Sequence, residues 1–243
     1  MKILTAGCSF TKYKWSCWPN FVKWFEPNNK ILNLGASASS NETIARSVLN
    51  AVMQHNDIKK IYIMWSAPNR YELVLDNKPN KEGATYATYN SDLEWYQCYG
   101  GHMEQEKHKF YEKYFLNQKQ NNIRLLEKIL MVQLFLEKKQ IEYKMMCFME
   151  SIIEHDKNKM SPGQKKLYDQ IDWNKFIFYN ITKGLKEFAE ENYPNEFFKP
   201  GDLHPLPLAH YKWVKDIMYR SSLEPPEHEL KKLINFKKEY ARH

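Results

Sequence analysis

The sequence predicts an α/β domain built on a mainly parallel sheet with helices on both faces. Short apolar runs at residues 2–6, 31–34, 58–65 and 141–149 have strand length, and the first three run into Gly-, Ser- or Asn-containing turns. Stretches with helical spacing lie between them, the longest marked by Ile123, Leu126, Ile129, Leu130 and Leu134. Strands that alternate with helices form parallel crossovers, and such sheets are buried on both sides. At 243 residues the chain is long enough for one sizeable domain with its own core.

Taken in order, residues 2–6 form the first strand, which stops at Gly7-Cys8-Ser9. After a loop over 9–18, Pro19 opens a short helix to about Glu26, since proline is favoured in a first helical turn. Residues 31–34 give a second strand. The small-residue loop Gly35–Asn41 follows, and Ser40 or Asn41 can cap a helix to about His55. Ile58–Trp65 is a buried strand ended by Ser66-Ala-Pro-Asn69-Arg70. Residues 76–102 are polar, aromatic and without period, and a loop of that length in a compact domain is usually functional or disordered. Helical spacing over about 104–138 suggests two helices, and a further strand follows at 141–149. Residues 176–193 are partly helical, 200–207 form a tight loop, and a helix covers about 209–220. The simplest organisation is one domain over 1–220 with an elaborated insertion at about 76–138. A loosely packed helical tail completes the chain at 221–243.

Composition narrows the function. The net charge is +7, but its lysines are interleaved with acids, which describes a solvated surface and not a nucleic-acid groove. No nucleic-acid reading motif accompanies the charge, so no nucleic-acid partner is expected. The four cysteines (Cys8, Cys17, Cys98, Cys147) have no framework spacing and read as free thiols in a reducing compartment. No apolar run reaches 18 residues and no leader pattern precedes the first strand, so a cytoplasmic protein without membrane partners is expected. Aromatic residues make up 15% of the chain. Their faces suit sugar rings and nucleobases, although most will be core.

Three clusters carry chemistry. Ser9 sits at a strand's C-terminal edge, where open α/β sheets build their sites. A serine nucleophile needs a base within hydrogen-bond reach; otherwise Ser9 is a turn serine. Cys8 is a rival whose side chain points the opposite way. Asp202-Leu-His204-Pro205 is a rigid loop in which His204 can act as base and Asp202 can orient it. A metal held by Asp202, His204 and His210 matches no strong zinc spacing, so no metal or other cofactor is expected. His210 fits better as a hydrogen-bonding residue at the start of the last helix. The loop Gly35–Asn41 and the Asn69 amide offer donors for a developing oxyanion.

Gly7-Cys-Ser9-Phe-Thr11, Asn33-Leu-Gly-Ala-Ser-Ala-Ser-Ser-Asn41, Trp65-Ser-Ala-Pro-Asn69-Arg70 and Asp202-Leu-His204-Pro205 follow the order of the four blocks of the SGNH (GDSL-like) hydrolases, which this chain resembles. Trp18-Pro19 after the serine and His204-Pro-Leu-Pro-Leu-Ala-His210 near the end resemble members encoded by tailed bacteriophages. The resemblance implies a three-layer α/β/α, flavodoxin-like fold with about five strands, and ester hydrolysis through a serine acyl-enzyme. It makes Ser9 the nucleophile, His204 the base and Asp202 its partner. The oxyanion donors become the Ser9 backbone, Ala38 (or Gly35) and the Asn69 side chain. Two positions depart from the family pattern: Ala38 stands where a glycine is usual, and one residue, not two, separates Asp202 from His204.

Two functions follow. The first is an esterase acting on a polar, possibly carbohydrate, acyl ester, with the aromatic insertion 85–115 (Trp95, Tyr96, Tyr99) as lid or substrate wall and with Arg70 and His210 as further substrate contacts. The second, suggested by the two departures, is a degenerate glycan-binding or virion-associated protein of the same fold. The oligomeric state is not legible.

Overall fold

The structure, a computed structural model, describes residues 1–75, 86–87, 95–99, 113–114, 117–199 and 201–240, the side chains of 72–75, 86–87, 95–99 and 239 excepted. Strands β1 (Lys2–Ala6), β2 (Lys30–Asn33) and β3 (Ile58–Trp65) join β7 (Glu142–Cys147) in a parallel sheet of order β2-β1-β3-β7. Leu4 pairs with Leu32 on one side and with Ile61 on the other. A separate antiparallel sheet has the order β4-β6-β5, from β4 (Tyr71–Leu75), β5 (Tyr86–Ala87) and β6 (Trp95–Tyr99).

The parallel sheet was expected to have about five strands, and four are present among the described residues. The fifth place is marked by a single parallel bridge between Met145 and Phe176. Among the described residues the segment after the 3₁₀ turn Trp173–Lys175 makes only that one bridge.

Helix α1 (Trp18–Phe25) connects β1 to β2, and α2 (Asn41–Gln54) connects β2 to β3. The first crossover runs to one side of β1 and the second back past it. Right-handed connections therefore put the two helices on opposite faces. Helix α2 packs with α3 (Gln118–Lys138), which packs with α4 (Pro162–Gln170). Helix α1 packs with α6 (Pro207–Lys212) and the π-helical turn Trp213–Met218, to which α5 (Leu185–Asn192) is also joined. The result is the three-layer α/β/α arrangement. Trp18, Trp65, Tyr211 and Trp213 are its largest fully buried side chains.

Of the expected pair of helices over 104–138, α3 begins at Gln118 and residues 113–114 are also helical, while the rest of 104–116 lies outside the described residues. The tail does not pack loosely. It forms α7 (Glu227–Tyr240), whose Leu233 is buried and whose Phe236 and Tyr240 lie against Trp15.

The sheet order decides where a site can form. From β1 the chain goes to one neighbour and then crosses to the other, so the loops after β1 and β3 diverge at the C-terminal edge. Ser9, Asn69 and the Gly35–Asn41 loop all leave that edge. Thr11 locks the first loop in place. Its backbone N–H bonds the Cys8 carbonyl at 2.8 Å, and its fully buried side chain fills space beside Gly7 and Gly35. A Cβ on Gly7 would lie 2.1 Å from Thr11 Oγ1 and 2.9 Å from the Met64 carbonyl oxygen. Gly7→Ala is therefore expected to cost about 1–3 kcal/mol through overpacking, a Tm loss of roughly 2–12 °C. Gly163→Ala, where an added Cβ meets nothing within 4 Å in the first turn of α4, should hold or raise Tm. Thermal melts of the two variants check this, and an unchanged Tm for Gly7→Ala would contradict it.

Candidate active site

The loop after β1 turns back on itself, the Thr11 and Lys12 N–H groups both bonding the Cys8 carbonyl, and holds Ser9 6% exposed at its crest. Cys8 is fully buried, as its opposite orientation requires. Burial pushes the Cys17 thiol up to about 12, so the proton stays on sulfur, which lies 3.5 Å from the Trp15 carbonyl oxygen and 3.8 Å from that of Ser9. Neither the Ser9 nor the Ala38 N–H has an acceptor among the described residues.

Across the chain, His204 Nε2 lies 2.8 Å from Ser9 Oγ. His204 Nδ1 lies 3.1 Å from Asp202 Oδ1. The same carboxylate oxygen accepts the His204 backbone N–H at 2.9 Å. This last bond shows why the one-residue spacing is sufficient. It forms an Asx turn that keeps the carboxylate over the residue two positions on, within reach of that residue's ring. Gly201 enters the turn at φ +81, a left-handed conformation that an L side chain would strain, and the Asp202 N–H bonds the Lys199 carbonyl at 3.1 Å. An ionised carboxylate only accepts, so Nδ1 carries the ring proton and Nε2 of the neutral ring accepts from Ser9 Oγ–H.

The His204 ring is covered as well as hydrogen-bonded. Tyr13 stacks on it at 4.1 Å between centroids with planes 5° apart, and Phe10 lies at 5.1 Å. Burial lowers the His204 pKa below its ordinary value, Asp202 opposes that shift, and the positive charges of Arg70 and Lys14 add to it. The resting imidazole is therefore neutral near neutral pH.

The remaining expected residues divide. Arg70 is at the site, donating to the Ser39 carbonyl at 3.2 Å and acting electrostatically on His204. Asn69 is exposed on the turn after β3, and the Arg70 N–H closes that turn on the Ala67 carbonyl. Ala38 adopts φ 61, the left-handed region in which a glycine would be free of strain. Gly35 is not an oxyanion donor: its N–H is bonded to Asn33 Oδ1 at 2.9 Å, and the residue is packed against Thr11. His210 is not a substrate contact: it is 1% exposed and its Nδ1 accepts the Trp18 N–H at 3.3 Å. The side chains of Trp95, Tyr96 and Tyr99 lie outside the described residues, as does most of the insertion 85–115.

Several supporting residues went unnoticed in the sequence. Asn41, read as a possible cap, brackets Ser66 instead, accepting its N–H at 2.8 Å and donating to its carbonyl at 2.9 Å. Ser40 is the cap, accepting the Thr43 N–H. Trp15 Nε1 donates to the Pro205 carbonyl at 2.9 Å. Position within an aromatic-rich loop was the one signal for Tyr13 and Trp15, and it did not separate them from core.

A serine, a histidine and an aspartate joined in series at the C-terminal edge of a parallel sheet form the constellation of nucleophilic catalysis. The chain belongs to the family described as "Family of unknown function (DUF6071)", whose model matches residues 7–186, a span that holds Ser9, Ala38 and Asn69 and ends before Asp202. No curated protein matches the sequence. The chain is similar to a solved GDSL-like lipase from Bacteroides thetaiotaomicron (10% identity, 90% of this chain and 86% of that one, TM-score 0.46). It is also similar to the psychrotrophic esterase EstA from Pseudoalteromonas sp. (10% identity, 96% and 98%, TM-score 0.47). A third similar structure is a member of the lipolytic protein G-D-S-L family from Veillonella parvula (10% identity, 90% and 99%, TM-score 0.44). Among the described residues no helix is long and apolar enough to cross a membrane.

His210 generates a test of the site's frame. Its burial pushes its pKa down to about 3, so the folded protein keeps it neutral while the unfolded chain takes up a proton from near 6.5 downward. The unfolded state then binds more protons across that window, and stability falls on acidification. Moving from about pH 7 to about pH 5 should cost about 2 kcal/mol through this group. His210→Gln should be less stable at neutral pH but lose less on acidification. Urea midpoints at the two pH values decide it, and equal losses in both proteins would contradict the assignment.

Proposed function

We propose that this protein is a serine hydrolase of the SGNH type that cleaves a polar acyl ester through an acyl-enzyme on Ser9. The observation that carries the reading is the unbroken series Ser9 Oγ, His204 Nε2 at 2.8 Å, His204 Nδ1, Asp202 Oδ1 at 3.1 Å, closed across 195 positions of sequence. Ser9 Oγ attacks the ester carbonyl carbon as its proton passes to Nε2. Asp202 stabilises the imidazolium that results. Collapse of the tetrahedral intermediate expels the alcohol, which takes the proton from Nε2. Water, activated by the same nitrogen, then releases the acid and restores Ser9.

The oxyanion needs donors aimed at the place where charge develops. The N–H groups of Ser9 and Ala38, which have no acceptor among the described residues, fill that role in this reading, together with the Asn69 side chain. The left-handed backbone at Ala38 supports it, because strain of this kind in an L residue persists where the surroundings impose it. Arg70 at the rim favours a polar substrate, and a carbohydrate ester is one such class.

Two tests follow. A fluorophosphonate probe should label the wild type, and Ser9→Ala should abolish labelling. Asp202→Asn should lower the hydrolysis rate of p-nitrophenyl acetate by roughly 10²–10⁴-fold. Undiminished labelling of Ser9→Ala would reject Ser9 as nucleophile. Because His204 must be neutral to act as base and its pKa is lowered, kcat/KM should rise with pH through a midpoint below the ordinary value of 6.5 and then level off. Arg70→Gln removes a nearby positive charge, so the midpoint should move upward; a downward shift would contradict the electrostatic assignment.

A further inference from the structure

We propose that Tyr13 is a positioning residue for His204, and that the C-terminal helix α7 holds it in place through Trp15. The inference rests on the serine-hydrolase reading and adds a component outside the four motif blocks.

His204 lies in a loop with no regular secondary structure. Its two side-chain hydrogen bonds lie in the ring plane and leave the ring's faces unsupported. The Tyr13 ring supplies that support, stacked at 4.1 Å and nearly parallel. Tyr13 is itself in a loop, and it meets Trp15 edge-on at 4.7 Å and 79°. Trp15 is buried and faces two ways. Its Nε1 donates to the carbonyl of Pro205, the residue after His204. Its ring meets Tyr240 at 5.7 Å and 86° and Phe236 at 6.3 Å and 69°. Those two rings stack on each other at 5.3 Å, and Phe198 closes the group against Tyr240 at 5.3 Å. Lys237 fixes the helix to the domain by donating to the Asn195 carbonyl at 2.9 Å.

A continuous series of ring contacts thus leads from α7 to the face of the catalytic base. Aromatic pairs prefer these stacked and edge-on geometries, so each ring limits the rotation of the next. Among the described residues the contact between Tyr13 and His204 is the stack of the two rings, with no hydrogen bond from the Tyr13 hydroxyl to His204.

The full-length chain provides the test, read by the fluorophosphonate labelling rate and by kcat and KM on p-nitrophenyl acetate. Tyr13→Phe should stay within about twofold of wild type. Tyr13→Ala should fall about tenfold in labelling and in kcat, with KM little changed, since misplacement of a catalytic group acts on the chemical step. The double variant Phe236→Ala/Tyr240→Ala, far from the reacting atoms, should fall in the same direction with the same split. Circular dichroism establishes that each variant is folded. A folded Tyr13→Ala that labels at the wild-type rate overturns the proposal, as does a Tyr13→Phe as slow as Tyr13→Ala. An unaffected Phe236→Ala/Tyr240→Ala variant overturns the role of α7. A wild type that fails to label at all rejects the hydrolase reading itself, and the positioning role with it.

Discussion

Everything at the candidate site depends on the space that Gly7 and Gly35 leave for one threonine. The chain leaves β1 at Ala6 and must return across the sheet edge within a few residues. It does so because Thr11 sits where two Cβ atoms would otherwise be. With Thr11 seated, its hydroxyl accepts from Trp18 Nε1 at 3.3 Å, and its carbonyl accepts from Asn33 Nδ2 at 3.1 Å. Those bonds tie the first loop to α1 on one side and to the end of β2 on the other. Ser9 is the crest of that closed turn, so its position is set by packing that involves none of the reacting atoms. Interiors near crystalline density do not deform gradually, and this one fixes Ser9 far more rigidly than a free loop would.

The same constraint explains how much could be read from residues alone. That Ser9, His204 and Asp202 come together was legible because each belongs to a short block with its own local chemistry, and the order of the blocks matched the edge on which a parallel sheet gathers its loops. The strands were legible because each carries an apolar run bounded by turn residues. What could not be read was long-range. Gly35 looked like an oxyanion donor from its neighbours, but Asn33, two residues back, takes its N–H. His210, offered as a substrate contact, is turned inward onto the Trp18 N–H by the helix it opens, in keeping with its other reading as a hydrogen-bonding residue at a helix start. The tail looked loosely attached because its charge pattern hides the two rings, Phe236 and Tyr240, that dock it. The Asp202 spacing looked like a defect until the Asx turn was seen, since a family spacing records one route to the ring and this loop takes another.

Burial and charge act against each other at His204, and the balance bears on how the site works. Covering the ring with Tyr13 and Phe10 removes water from it, which disfavours the imidazolium. Asp202 favours the imidazolium, and Arg70 and Lys14 again disfavour it. A base held neutral in this way is ready to accept a proton at rest but holds it weakly. In the proposed mechanism that suits the step in which the proton is handed on to the leaving alcohol. The aspartate then matters most in the interval when the ring is charged, because in that interval burial is a cost and a carboxylate 3.1 Å from Nδ1 is the nearest compensation. The rings that position His204 and the carboxylate that orients it are thus two halves of one arrangement. In the proposed reaction the aromatic cover lowers the ring's basicity and Asp202 opposes that shift, which favours the transfer from Ser9.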